Sequence, residues 1–269
     1  MIAKYWIGSL FGSLLFCLAA SWLVAQDSSL PKAAEIVERY DHALGGRDAL
    51  MRHTSSTMRG AMEIHEGADV ISVPFVYYAG APYRRLESVS LPNGAGVVLN
   101  GFDGETAWSF DPRPGPHTGA QVYFGDDRES QKRDADFYYP INELSWFKSM
   151  ETVGIEDFEG RPCYRLHGIN NWNKPNDHLY DRETGLLTAY DFGSDLGQIH
   201  EIFSGYKKVD GVLVPMKSTV KVKTKTGEWV VRQVVVYESV TFNDVDPAAL
   251  VPPQPVRDLK AKPKSTPTS

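Results

Sequence analysis

The stretch "YKKVDGVLVPMKSTVKVK", Tyr206–Lys223, carries an Asp-Gly pair between two apolar runs. Asp-Gly suits the two positive-φ positions of a tight hairpin turn. Beyond the turn, Val212, Val214, Met216, Val220 and Val222 share one parity, and Lys217, Lys221 and Lys223 share the other. Alternation of this kind marks a half-buried strand, so the segment is read as sheet. The question it raises is whether the apolar face meets only core or also a ligand.

Working outward, the same punctuation recurs from Ser55 to Phe242. "GAP" at Gly80, "LPNG" at Leu91, "FDGE" at Phe102, "RETG" at Arg182 and "KTGE" at Lys225 are turn clusters between runs rich in Val, Tyr, Phe and Thr. Only Asp126–Met150 interrupts, and Pro140 divides it into two short helical or irregular pieces. One amphipathic helix precedes the strands: in "SSLPKAAEIVERYDHALGG", Ala33, Ile36, Val37, Tyr40, Ala43 and Leu44 follow helical spacing. Ser28 or Ser29 is suited to cap it, Gly45-Gly46 to end it, and "RDALMRH" to form a second short turn. The tail after Asp246 is Pro-rich and polar and reads as extended and disordered over 246–269.

Met1–Ala25 has one charge, Lys4, followed by an apolar run and the small residue Ala25. This is the pattern of a secretory signal peptide, with an uncleaved inner-membrane anchor as the alternative for a run of this length. Either way the expected location of the folded part is the periplasm, as a single β domain over 26–245. Bulky Phe16 before Cys17 argues against lipid attachment there. Loss of the leader leaves Cys163 alone, which excludes an internal disulfide.

Among 269 residues, 42% are hydrophobic and 23% charged, ordinary values for a globular chain. A net charge of −6 disfavours a nucleic-acid partner. The only basic run, Lys221, Lys223 and Lys225, suits a solvated or blocked strand face. No nucleophile elbow, phosphate-binding loop or dinucleotide fingerprint occurs, so no catalytic residue and no cofactor are assigned. His65, His117, His167, His178 and His200 show no metal-ligand spacing, and no metal site is expected. Asp103, Glu105, Asp177, Asp181 and Glu183 sit in or near turns, where such residues serve geometry and solubility.

Two strands have apolar residues on both parities. In "EWVVRQVVVYESVTF", Trp229, Val231, Val235 and Tyr237 share one parity, and Val230, Val234, Val236, Val240 and Phe242 the other. In "VISVPFVYY", Ile71, Val73, Phe75 and Tyr77 oppose Val70, Val76 and Tyr78. Such strands need cover on two faces, and one good helix covers part of one. The sheet therefore either curls on itself or leaves an apolar concavity.

"AEIVERYDHALGG", "FDGETAW", "YDRETGLL" and "FSGYKKVDGVLVP", in this order between Ala33 and Phe242, resemble the bacterial outer-membrane lipoprotein-sorting-like proteins, the LolA/LolB/RseB-like superfamily. The resemblance implies a mainly β fold with a few helices: a strongly curved antiparallel half-barrel whose concave face is apolar and covered by the leading helix and the helical insert. It supplies no catalytic residues. It implies a periplasmic, non-enzymatic carrier or binder of lipid or lipoprotein acyl chains. An envelope sensor or scaffold that binds another envelope protein is the alternative, and an envelope enzyme with an unrecognised site the third reading. Trp229, Val231, Val235 and Tyr237, with Phe75 and Tyr77, are the expected wall of the concavity; their competing role is packing against the helix.

Overall fold

The computed structural model describes residues 30–116, 118–194 and 197–261. Helices α1 (Ala33–Leu44) and α2 (Arg47–Met51) lead into strands β1 (Ser55–Glu66), β2 (Asp69–Gly80), β3 (Arg84–Ser90), β4 (Val97–Phe102), β5 (Ala107–Asp111) and β6 (Gly119–Tyr123). The insert follows as α3 (Gly125–Asp134) and α4 (Tyr139–Asn142). Then come β7 (Phe147–Phe158), β8 (Arg161–Asn170), β9 (Pro175–Asp181), β10 (Leu187–Ser194) and β11 (Gly197–Ser204). The chain closes with β12 (Lys207–Val209), β13 (Val212–Val214), β14 (Lys217–Lys223), β15 (Trp229–Phe242) and α5 (Gln254–Ala261). The expected leader Met1–Ala25 and the capping serines lie outside the described residues.

Among the described residues, thirteen strands form one curved, open antiparallel sheet in the order β6-β5-β4-β3-β2-β1-β15-β14-β11-β10-β9-β8-β7. The long strands β1 and β15 pair at its centre, joining the N-terminal meander to the C-terminal one. Pairing sets one face directly: Met58 and Met62, Val73, Phe75, Tyr77 and Ala79, and Val235, Tyr237, Val240 and Phe242 all point the same way. Helix α1, the α3–α4 insert and the β12–β13 ribbon cover this concave face. Ile36, Val37, Tyr40 and Leu44 of α1 pack on Leu166, Tyr180 and Leu187, as the helical spacing predicts. Pro140 falls in the first turn of α4, where its missing N–H costs no hydrogen bond.

The opening Asp-Gly turn is confirmed, with φ of 45° at Asp210 and 91° at Gly211. Its strands stand outside the large sheet, as a separate two-stranded ribbon. The turn packs on the end of α1: a Cβ at Gly45 would meet the Gly211 carbonyl oxygen at 2.4 Å, and Gly45 has φ of 128°. Only glycine satisfies both conditions.

Two expectations are corrected. The tail is not extended throughout: a turn at Pro247–Leu250 and α5 pack on the convex face. Val256 is completely buried with Leu86, Trp108 and Leu250, and Lys260 Nζ lies 2.8 Å from Asp103 Oδ2. Pro252, Pro253 and Pro255 hid this helix in the composition, yet they precede it or sit in its first turn. The ordered unit therefore reaches Ala261 rather than stopping at 245.

The second correction concerns β15. Its register against β14 moves from Lys221↔Val231 to Val220↔Gln233, leaving Arg232 as an extra residue. A β-bulge reverses parity beyond it, so Trp229 and Val231 face the convex side while Val235 and Tyr237 face the concave side. The four residues read as one wall do not share a face. Trp229 instead stacks on His200 at 3.7 Å, with Lys223 Nζ 5.7 Å from its ring centre.

Candidate ligand site

Alternation on β1, β2 and β15 brings Met58, Tyr77, Ala79, Val240 and Phe242 to the floor of an apolar cavity of about 190 Å³. Tyr40 and Leu44 of α1, Leu50 of α2, Phe137 and Pro140 of the insert, and Val212–Pro215 of the ribbon complete it. His53, Ser56 and Asp136 are its polar members. Asp136 is occupied: it accepts from Trp146 Nε1 at 2.9 Å, Asn142 Nδ2 at 3.1 Å and the Tyr138 backbone N–H at 3.0 Å. Those bonds fold the insert into its turn. The Tyr138 hydroxyl then donates to the His53 carbonyl at 2.9 Å, tying the insert to the sheet.

His53 is buried and stacked on Phe242, with ring centres 4.1 Å apart. The Asn243 side-chain amide donates to Nδ1 at 3.2 Å, so Nε2 carries the proton and donates to the Asp210 carbonyl at 3.3 Å. One histidine therefore joins the ribbon to the sheet at the rim of the cavity.

Beside the cavity the concave face becomes polar. Glu87 is the cross-strand partner of Tyr77, and Arg85, on the same side of β3, donates from Nη1 to Glu87 Oε1 at 3.0 Å. Its Nη2 reaches Gln131 of α3. From the other half of the sheet, Glu201 accepts from Ser218 Oγ at 3.2 Å. Burial, then the carboxylates of Asp134 and Glu87, push the Glu201 carboxyl up to about 7. Burial likewise pushes the Tyr77 hydroxyl up to about 12 and raises that of Tyr237.

A third cluster was not legible in the sequence. Glu143, completely buried in the turn after α4, has Oε1 2.5 Å from His178 Nδ1 and accepts from the Tyr180 hydroxyl. Burial, then the Glu143 charge, drives the Tyr180 hydroxyl well above its ordinary range. The cluster fastens the insert to β9. Its members come from a loop and a strand whose spacing is that of no motif, so only tertiary packing brings them together.

Of the expected wall, Val235 and Phe75 are core, buried with Met62 and Val73. Tyr237 packs against that cluster, its ring 6.0 Å from Phe75. Tyr77 alone lines the cavity. Cys163 is a buried thiol, pushed up by burial, beside Thr188. A larger groove of about 570 Å³ lies on the surface between the start of α1 and strand β7. Among the described residues no cluster of His, Cys, Asp and Glu is placed to hold a metal ion.

The fold is that of several solved structures. A LolA superfamily protein from Nitrosomonas europaea matches with a TM-score of 0.56 at 12% identity, over 83% of this chain and 99% of its own. A DUF1329 family protein from Desulfovibrio piger matches with a TM-score of 0.56 at 14% identity, over 81% and 96%. A putative outer membrane lipoprotein-sorting protein domain from Vibrio parahaemolyticus matches with a TM-score of 0.53 at 12% identity, over 78% and 92%. No protein-family model and no curated protein matches the sequence. The expected half-barrel architecture is thus shared with these proteins.

Proposed function

We propose that the chain is a periplasmic binding protein that holds the acyl chain of a lipid or lipoprotein between the concave sheet face and α1. The observation that carries this reading is the apolar cavity beneath α1, α4 and the β12–β13 ribbon. The likeness in fold to a lipoprotein-sorting domain supports it, as does the leader-like run Met1–Ala25.

The cavity is small, about 190 Å³, below the usual range for ligand pockets. At roughly 30 Å³ for each water-sized group it holds about six methylenes of one chain. Their burial contributes ~5 kcal/mol, comparable with the lower end of the entropic cost of association. Either the ribbon yields to admit more chain, or contacts outside the cavity add to the affinity.

The test is uptake of the neutral fluorescent probe N-phenyl-1-naphthylamine, together with mass spectrometry of lipid extracted from the purified protein. Ala79→Phe fills the cavity floor and should abolish uptake while circular dichroism shows the fold retained. If the wild type takes up no apolar probe, the carrier reading fails and binding to another envelope protein becomes the better account.

A further inference from the structure

The apolar cavity ends at Tyr77, and the polar centre of the concave face begins at the same residue. Tyr77 is the cross-strand neighbour of Glu87 and of Met58, and Tyr237 lies across Gly60 from Phe75. The Tyr77 hydroxyl feels the charges of Arg85, Glu87 and Glu201, and Tyr237 those of Tyr77, Glu87, Glu201 and Arg85. By strand register, Tyr77, Arg85, Glu87 and Tyr237 stand on the same concave face of β2, β3 and β15.

What they leave unused is mostly donor capacity. Among the described residues neither the Tyr77 nor the Tyr237 hydroxyl has a hydrogen-bond partner within the protein. Arg85 is more than nine-tenths buried, yet its Nε–H is unpaired while its two terminal nitrogens are engaged. A buried guanidinium N–H without a partner carries a desolvation cost that a bound acceptor would remove. Arg85 offsets the Glu87 charge in part, and the carboxylates of Asp134 and Glu87 still raise the Glu201 carboxyl, so a neutral carbonyl acceptor suits the place better than an anion.

We propose that Arg85, Tyr77 and Tyr237 form a head-group subsite that receives the carboxyl oxygens of an acyl ligand whose chain lies in the adjoining cavity. The proposal rests on the acyl-chain reading and narrows it. The ligand is a single-chain amphiphile whose carboxylic acid or ester group is read by protein donors, rather than a bare hydrocarbon or an amine. It also accounts for affinity beyond that of six methylenes, since a buried, unpaired Arg85 N–H flanked by two tyrosine hydroxyls favours a ligand that brings an acceptor.

The experiment compares octanoic acid, methyl octanoate, octylamine and octane as displacers of N-phenyl-1-naphthylamine. They share the chain length that fills the cavity and differ in the head. Acid, ester or both should displace at least tenfold more tightly than octane and octylamine. Which of the two prevails tells a free fatty acid from an esterified chain. The double variant Tyr77→Phe/Tyr237→Phe keeps both rings and removes only the hydroxyls. It should lower the acid or ester affinity about tenfold, leave octane unchanged and melt within a few degrees of wild type. Octylamine binding as tightly as the acid and ester, or octane matching them, would overturn the subsite. An unchanged acid and ester affinity in the double variant would do the same. Probe uptake without any displacement by acid or ester also overturns it, whereas no uptake of the probe itself removes the acyl-chain reading beneath it.

Discussion

Oε1 of Glu143 lies 2.5 Å from Nδ1 of His178, and both side chains are sealed from solvent. The same oxygen accepts from the Tyr180 hydroxyl. One carboxylate thus satisfies two donors of β9 and anchors the insert that roofs the concave face. Burying it is worthwhile only because those donors are present.

Replacing Glu143 with Leu should therefore cost about 3 kcal/mol, because His178 and Tyr180 lose their acceptor in a dry environment. Urea unfolding measures the loss. Amide exchange should quicken across Gly125–Trp146 more than in the central strands β1 and β15, and equal quickening in both would refute the anchoring role.

Glu201 gives stability a pH dependence. Its carboxyl is raised from 4.5 to about 7, so the folded state binds a proton that the unfolded state has already released. That contribution is whole below about 4.5 and is lost as pH rises through about 7. The groups around it are Asp134 and Arg133 of α3, Glu87 of β3 and Ser218 of β14. Glu201→Gln, which cannot ionise, should remove on the order of 2 kcal/mol of this decline. Parallel urea curves for wild type and variant at pH 5, 6, 7 and 8 check it; a constant difference between them contradicts the assignment.

On the convex face the sign is opposite for Asp191. Burial raises its carboxyl, but hydrogen bonds from His200 and Gln198 and the charges of His200 and Arg165 outweigh burial and hold it below its ordinary value. Asp191→Asn should cost about 1–2 kcal/mol at pH 7. Because a depressed carboxylate contributes only where it is ionised, the cost should shrink as pH falls below 3.8. Thermal melts at pH 7 and pH 3 provide the comparison.

The tail helix is a structural element with a measurable share of stability. Val256 is fully buried against Trp108 and Leu86, so Val256→Asp should destabilise by about 3 kcal/mol or more, and Val256→Ala by about 1–2 kcal/mol. Scanning calorimetry of both variants tests this. A tail without packing would leave the melting temperature unchanged.

The sheet, the leading helix and the Asp210-Gly211 turn were legible because each depends on local rules. Period-2 alternation, 3.6-residue spacing and positive φ are properties of neighbouring residues. The concave cover was legible in part, since α1 announced its apolar stripe and Pro140 marked the broken insert. The site was less so. Tyr77 lines the cavity, whereas Trp229 and Val231, expected on one face with Val235 and Tyr237, lie beyond the bulge on the other.

The sequence by itself determined that this chain makes a large antiparallel sheet with strands apolar on both sides. Which residues face which side was decided by the tertiary structure, because one extra residue at Arg232 reverses the parity of β15, and the partner strand β14 reveals that residue. The same holds for Glu143 with His178 and for Arg85 with Gln131. A buried polar group finds its partner through space, and nothing in its neighbours along the chain records where that partner lies.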